Sequence, residues 1–131
     1  MVFRDAQCAA FMDIHPINAG HVLVVPIGHA AQLSELDASA AARVMIVAQQ
    51  VAAALRASPL RCEGVNLMLA DGEAAGQEVF HVHMHVLPRY AGDGFGFRRG
   101  PNSKNAAPRH ELEGVAAQLR GLLAPSATGA V

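Results

Sequence analysis

Three histidines alternate with apolar residues in the second half of the chain. His81, His83 and His85 lie in the segment HVHMHVL. Alternate side chains of a β-strand point to the same face, so this spacing predicts three imidazoles on one face, with Val82 and Met84 packed on the core from the other. Imidazole titrates near neutral pH, and such a row can therefore bind a ligand, exchange protons or attack an electrophile.

The histidine row has three interpretations. A solvent-facing polar row is the least favoured, because imidazoles bury little apolar area and each needs hydrogen-bond partners. A His-x-His pair can chelate zinc, but the first and third rings of a straight strand lie about 13–14 Å apart, too far for one ion. The third interpretation is covalent catalysis, since a neutral imidazole nitrogen is a nucleophile towards phosphorus. The residues alone leave these alternatives open.

The composition narrows the class of protein. The chain has 131 residues, of which 52% are hydrophobic and 16% charged, with a formal net charge of -1. These values indicate one folded domain and exclude a disordered chain or a protein that coats nucleic acid. The sequence has no run of about 18 apolar residues, so no membrane span is expected. Its first residues lack the apolar stretch of a signal peptide. We therefore expect a cytoplasmic protein without a membrane or nucleic-acid partner.

The apolar pattern predicts the elements that position the histidines. A helix is expected over 38–57, capped by Asp37 or Ser34, and a second helix over 109–123. Two strands joined by the turn HPIN form a predicted antiparallel hairpin, and two more strands follow the first helix. Together the elements indicate an α+β fold. The predicted strands cover residues 7–14, 20–26, 64–70 and 77–88.

The other polar and sulfur side chains carry weaker signals. His15, His21 and His110 are isolated and are interpreted as structural or surface groups. Cys8 and Cys62 are far apart, form no Cys-x-x-Cys pair and are expected to be buried free thiols.

The segment HVHMHVL resembles the motif His-x-His-x-His-x-x, with x apolar, of the histidine-triad (HIT) superfamily of nucleotide hydrolases and transferases. FMDIHPINAGHVLVVPIGH resembles the family's first hairpin, and AGQEVF and PRYAGDGF flank the triad as in bacterial members. The resemblance covers residues 2–123 and implies a HIT-like α+β fold of about five antiparallel strands with two helices. It implies a HIT domain over 1–124, a flexible tail over 125–131, and a homodimer with one continuous sheet.

The resemblance also implies catalytic roles. His83 matches the nucleophile that attacks the α-phosphorus and forms a covalent nucleotidyl-histidine. His85 matches the residue that contacts the phosphate oxygens, and His81 the residue that orients the site and relays protons. His29 matches a histidine of the Hint branch that joins this relay to the leaving group.

Substrate contacts follow from the same resemblance. Asp13 matches the acidic residue that binds the ribose hydroxyls, although a strand-end Asp that starts a turn is the plain alternative. Ile14 is expected to line the base pocket, with Phe11 and Leu33 as weaker candidates. The backbone of one stretch is expected to contact the phosphate. That stretch consists of Gly76, Gln77, Glu78 and Val79.

The implied activity is hydrolysis of a nucleoside 5′-phosphoramidate or acyl-adenylate, with an adenosine or guanosine phosphate derivative as substrate. The alternatives are a dinucleoside polyphosphate hydrolase of Fhit type and a nucleotide-binding module with little turnover. No metal site and no required cofactor are expected, while Mg²⁺ can accompany the substrate. One departure stands out: Ala70 occupies a position where members carry Asn or Gln, so Asp71 or Asn66 would have to substitute.

Overall fold

The computed structural model describes residues 1–103 and 105–123, so the predicted tail over 125–131 lies outside the described residues. The chain forms two compact units, the first over Met1–Phe95 and the second from Gly96 onwards. Every candidate site residue belongs to the first unit.

The first unit contains a five-stranded antiparallel sheet and a long helix, α1, over Ala38–Ala57. The strands lie side by side in the order β1-β2-β3-β5-β4, and each neighbouring pair is antiparallel. The predicted α+β fold with about five antiparallel strands is therefore confirmed. The strands are β1 (Phe3–Arg4), β2 (Cys8–Met12), β3 (Val22–Pro26), β4 (Gly64–Met68) and β5 (Met84–Arg89).

The alternation of β3 separates the two faces of the sheet. Val22 and Val24 are buried in the core, whereas Leu23 and Val25 are half-buried on the opposite face. The core forms where the first face packs against α1, because burying this apolar area is the main gain of folding. The second face is left without a covering helix within this unit and carries the candidate site. The buried residues of α1 are Val44, Val47, Ala48, Val51 and Leu55.

Helix α1 has the predicted bounds. The side chain of Asp37 caps it by accepting a 2.7 Å hydrogen bond from the amide of Ala40. By length and composition alone α1 could cross a membrane. Its buried residues pack in the core with the sheet.

The histidine strand is shorter than predicted. Strand β5 begins at Met84 rather than at residue 77, so His81 and His83 precede it. The backbone before β5 runs along a loop instead of a strand, with the amide of Val82 donating to the carbonyl of Ala30 at 2.8 Å. The other predicted strands are shorter by one or two residues at an end, and β1 is an additional short edge strand.

The second unit contains helix α2, Arg109–Leu122, close to the predicted 109–123. Its apolar stripe, which includes Leu112, Val115 and Leu119, is largely exposed. Both cysteines are free as expected, but only Cys8 is buried, while Cys62 is half-buried.

Candidate active site

The predicted triad lies together on the sheet face opposite α1. His85 pairs with Leu23 across β3 and β5, and its ring centroid is 5.1 Å from that of His83 in an edge-on arrangement. The three histidines are half-buried, while Val82, Met84 and Val86 between and after them are buried. The expected alternation is therefore present, although only His85 belongs to the strand.

The backbone determines which nitrogen of His83 is free. His83 Nδ1 lies 2.8 Å from the carbonyl oxygen of His81. A carbonyl can only accept, so Nδ1 carries the proton and Nε2 of the neutral ring has a lone pair. Among the described residues, Nε2 has no hydrogen-bond partner. Every buried side-chain nitrogen or oxygen in that part of the chain has a partner, so Nε2 is not buried and is open to solvent. Nε2 is thus available as a nucleophile.

His81 is held in the same way and contacts His29. Its Nε2 donates to the carbonyl oxygen of Pro26 at 2.9 Å, which leaves a lone pair on Nδ1. That Nδ1 faces His29 Nδ1 at 3.4 Å, and the two ring centroids are 5.5 Å apart. The structure therefore brings His29 to the triad, as the sequence predicted. With the lone pair on His81 Nδ1, a hydrogen bond between the two atoms needs a proton on His29 Nδ1.

His21 is the residue that sequence reasoning left out of the site. Its side chain is only 1% exposed, and its Nε2 lies 2.9 Å from Nδ1 of His85. Burial lowers the pKa of His21, with the charge of Asp13 opposing the shift, and burial also lowers the pKa of His85. Both rings are therefore neutral near pH 7. A histidine in an otherwise apolar hairpin strand was the available signal, but its partner is 64 residues away.

Asp13 lies next to this pair. One carboxylate oxygen accepts from the amide of His15 at 2.9 Å, which is the turn contact that the plain alternative predicted. The other lies 3.6 Å from Nε2 of His21, beyond a hydrogen bond. Asp13, His21 and His85 each bring one possible metal ligand within 4.8 Å of the others. The hydrogen bonds of His21 and His85 are enough to explain why these side chains lie together, without a metal ion.

An apolar cavity of about 390 Å³ opens beside His83. This volume is within the range of small-molecule sites. Ile14 and Leu33, expected as base-pocket residues, are not part of its wall, and Ile14 is 86% exposed. The cavity is lined by Phe11, Leu23, Val25, Val79, His81 and His83.

The predicted phosphate loop contributes fewer free amides than expected. The amides of Gly76 and Gln77 already donate within the loop, to the carbonyls of Glu73 and Gly72. The side chain of Gln77 is also occupied, because it accepts from the amide of Gly72 and donates to the carbonyls of Ala31 and Val79.

Only two amides of this loop remain for a phosphate. In the described part of the chain, the amides of Glu78 and Val79 have no acceptor. Val79 also lines the apolar cavity, so the end of this loop reaches the site. Gly76 has a φ of +96°, which glycine adopts without strain, and it turns the chain into this stretch.

Ala70 lacks the side-chain amide that family members carry at this position. Each of the two predicted substitutes, Asp71 and Asn66, already uses an oxygen in another hydrogen bond. Asp71 accepts from the amide of Leu33 at 2.9 Å, and Asn66 accepts from Arg89 at 2.7 Å. Both oxygens therefore hold the scaffold together.

A polar clamp holds the hairpin turn against the end of β5. The guanidinium of Arg89 donates to both carboxylate oxygens of Asp93 and to the carbonyl of Phe95. Asn18 donates to the same carboxylate and to the carbonyl of Pro88, each at 2.9 Å. The bonds from Arg89 hold the pKa of Asp93 far below its usual range. The clamp positions the turn from which His21 enters the sheet.

Comparison with known proteins agrees with this site. The model of the HIT domain family matches residues 1–92. An HIT-like protein from Borreliella burgdorferi is 44% identical over 100 residues, which cover 76% of this chain and 72% of the relative. The crystal structure of an HIT family member from Bacillus subtilis has a TM-score of 0.82 at 32% identity, covering 95% of this chain and 88% of that one.

A structure of a histidine triad nucleotide-binding protein from Candida albicans is more distant. It has a TM-score of 0.78 at 26% identity and covers 93% of this chain and 86% of that one. The chain belongs to the HIT domain family. Membership of this family implies a nucleotide-binding protein of hydrolase type.

Two neutral histidines, the buried His21 and the half-buried His85, predict acid-sensitive stability. The pKa values of His21 and His85 are lowered from 6.5, so below about pH 6.5 the unfolded state binds protons that the folded state does not. We therefore expect the free energy of unfolding to decrease as the pH is lowered below about 6.5, by up to about 1.4 kcal/mol per pH unit for each histidine.

Urea unfolding between about pH 6.5 and 5, above the range of carboxyl titration, measures this slope. His85→Gln should reduce it, while His110→Gln, which replaces an exposed histidine of α2, should not. Parallel profiles of wild type and His85→Gln would contradict the prediction.

Proposed function

We propose that the protein hydrolyses nucleoside 5′-phosphoramidates or acyl-adenylates through a covalent nucleotidyl group on His83, with release of the nucleoside monophosphate. The single observation that carries this proposal is the bond from His83 Nδ1 to the carbonyl of His81. It directs the lone pair to Nε2, the open nitrogen of a ring that lines the apolar cavity.

The reaction takes place in two displacements. In the first, His83 Nε2 forms a bond to the α-phosphorus, and the bond from phosphorus to the leaving group breaks. The leaving group takes a proton from the His29–His81 pair, which in the reactive state carries one proton more than two neutral rings and becomes neutral when it gives that proton up. In the second, water attacks phosphorus, its proton returns to that pair, and the Nε2–phosphorus bond breaks.

The rest of the site is assigned to the nucleoside and its phosphate. The apolar cavity takes the base by shape and stacking, and the carboxylate of Asp13 accepts hydrogen bonds from the ribose hydroxyls. The amides of Glu78 and Val79, with His85, donate to the phosphoryl oxygens, where negative charge is concentrated in the transition state. These groups require no metal, and Mg²⁺ can accompany the substrate.

The polar clamp favours a substrate with one phosphate at the site over a dinucleoside polyphosphate. Arg89 is the cation nearest in sequence to the triad, but its donors are committed to Asp93, Asn66 and Phe95. An outer phosphate would therefore not receive this charge. Diadenosine polyphosphates remain the comparison substrate.

We predict that His83→Asn abolishes turnover of adenosine 5′-phosphoramidate, with kcat at least about 10³-fold lower, because the nucleophile is lost. Product formation by chromatography measures kcat. Mass spectrometry of wild type quenched in alkali should show a nucleotidyl adduct that the variant lacks.

The matched control is His15→Asn, a change at an exposed histidine of the hairpin turn. Turnover by His83→Asn at the wild-type rate would refute the covalent mechanism. Nucleotide binding by wild type without turnover on either substrate would indicate a binding module instead.

We predict that Asp13→Asn weakens recognition of the ribose. Asn retains an oxygen for the amide of His15 but loses the charge, so KM for adenosine 5′-phosphoramidate should rise about 10- to 100-fold. The 2′,3′-dideoxy analogue offers no hydroxyls and is the control substrate. An equal rise of KM for both substrates would assign Asp13 to the turn alone.

We further propose that the protein is a homodimer whose sheet continues across the interface. Strand β4 is at the edge of the sheet and so has an unpaired side. Met45 and Ile46 of α1 and Leu67 of β4 are 50%, 42% and 40% exposed. Exposed apolar side chains beside an open strand edge are typical of an association surface.

Light scattering after size exclusion tests the dimer. Wild type should have twice the mass of the chain at micromolar concentration, and Leu67→Glu should have the mass of one chain, because a charge at the interface is costly to bury. Ile27→Glu, at a similarly exposed residue after β3, is the control and should stay dimeric. A monomeric wild type would disprove the proposal.

A further inference from the structure

The side chain of Gln77 connects two loops of the site. It is only 3% exposed and has three polar contacts, all with backbone groups. Its Oε1 accepts from the amide of Gly72 at 2.8 Å, while its Nε2 donates to the carbonyls of Ala31 at 2.7 Å and Val79 at 3.1 Å. An amide can only donate and a carbonyl can only accept, so the three contacts agree on one orientation of the side chain.

Residues 27–33, which we call the His29 loop, lie between β3 and α1. His29 itself is exposed, and among the described residues its ring has one polar contact, with His81 Nδ1 at 3.4 Å. This distance is longer than that of an ordinary hydrogen bond, so the contact alone holds the ring weakly. The backbone of the His29 loop must therefore determine where the ring lies.

Two side chains of the loop between β4 and β5 hold the His29 loop. Gln77 donates to the carbonyl of Ala31, and the carboxylate of Asp71 accepts from the amide of Leu33 at 2.9 Å. A third bond, from the backbone amide of Val82, reaches the same loop. We refer to Gln77 and Asp71 as the latch, because their side chains join segments that are 46 and 38 positions apart.

We propose that Gln77 and Asp71 are positioning residues that hold His29 against His81, so that the site protonates a leaving group. The latch thereby makes the protein selective for substrates whose leaving group needs a proton, such as an amine. This consequence rests on the proposed function, in which the His29–His81 pair supplies the proton. The placement of His29 by the latch can be tested without a substrate.

The need for a proton depends on the leaving group. When the bond between phosphorus and an amine nitrogen breaks, the nitrogen keeps the electron pair and must also take a proton, because the unprotonated anion is too basic to leave. When a 4-nitrophenyl ester is cleaved, the oxygen keeps the pair and leaves as nitrophenolate, an anion that is stable in water. In both reactions His83 Nε2 forms the new bond to phosphorus. A displaced His29 should therefore slow the first reaction and not the second.

The contact of Gln77 with Val79 joins the latch to the apolar cavity. The side chain of Val79 lines this cavity, and its carbonyl accepts from the same Nε2 that holds the His29 loop. One side chain thus fixes the cavity wall and the proton donor relative to each other. Both protons of Nε2 are used, so a contact of Gln77 with a phosphate would have to break one of these bonds.

Steady-state kinetics with adenosine 5′-phosphoramidate and the 4-nitrophenyl ester of adenosine 5′-monophosphate test the proposal. The ratio kcat/KM reports formation of the nucleotidyl-histidine, so a change in the second displacement does not enter it. Ionised Gln77→Glu keeps an acceptor for the amide of Gly72 but has no proton for the two carbonyls. We expect its kcat/KM to fall about 10- to 100-fold for the phosphoramidate and less than about threefold for the ester.

The matched control is Gln118→Glu, which adds the same charge at an exposed glutamine of α2 and should leave both values unchanged. Equal losses of kcat/KM for the two substrates in Gln77→Glu would assign Gln77 to folding or to phosphate binding and overturn the proposal. Wild-type values for both substrates in Gln77→Glu would overturn it as well.

Asp71 provides a second test at an exposed residue, where a substitution disturbs the fold less. Asp71→Asn keeps an oxygen for the amide of Leu33, whereas Asp71→Leu removes it at nearly the same size. We expect kcat/KM for the phosphoramidate to be about tenfold lower in Asp71→Leu than in Asp71→Asn, with similar values for the ester. Equal values of the two variants for the phosphoramidate would remove Asp71 from the latch.

Proton NMR of the imidazole rings tests the placement of His29 without a substrate. The ring centroids of His29 and His81 are 5.5 Å apart, so we expect cross-relaxation between their ring protons in wild type. His29→Gln assigns this signal, Gln77→Glu should weaken it, and Gln118→Glu should not. An unchanged signal in Gln77→Glu would show that Gln77 does not position His29. If wild type hydrolyses neither substrate, the proposed function fails, while this signal still decides the placement of His29.

Discussion

The site depends on three imidazoles, each of which pairs with one backbone group. His81 donates to the carbonyl of Pro26, His83 to the carbonyl of His81, and His21 accepts from the amide of Ile17. Backbone groups cannot exchange the roles of donor and acceptor, so each bond decides which nitrogen of the ring carries the proton. The distribution of protons over the site is therefore a property of the fold, present before any substrate binds.

The hairpin of β2 and β3 connects this chemistry to the core. Its turn supplies the amide that orients His21, and the carbonyl at the end of β3 orients His81. Leu23 and Val25, on the uncovered face, line the cavity. Val22 and Val24, which alternate with them, are packed in the core with α1. Burial of Val22 and Val24 in the core therefore places Leu23 and Val25 on the opposite face, because the side chains of a strand alternate between faces.

Several features could be predicted from the sequence because their causes are local. Helix α1 has its predicted bounds, since a capping Asp and a three- and four-residue apolar period operate within the segment itself. The grouping of the triad followed from a two-residue period. The predicted start of β5 was wrong because an alternating pattern shows which side chains are buried, but not which backbone segment pairs with them by hydrogen bonds. Val82 bonds to the loop at Ala30, not to a strand.

The sequence by itself determined the residue types of the site, the face that three histidines share, and the fold that carries them. Only the tertiary structure decided what each histidine can do. An imidazole nitrogen is a donor or an acceptor according to its partner, and these partners are brought together by sheet register and loop packing. The contact of His21 with His85 joins residues 64 positions apart. For this reason an isolated histidine in the sequence became, in the structure, part of the candidate active site.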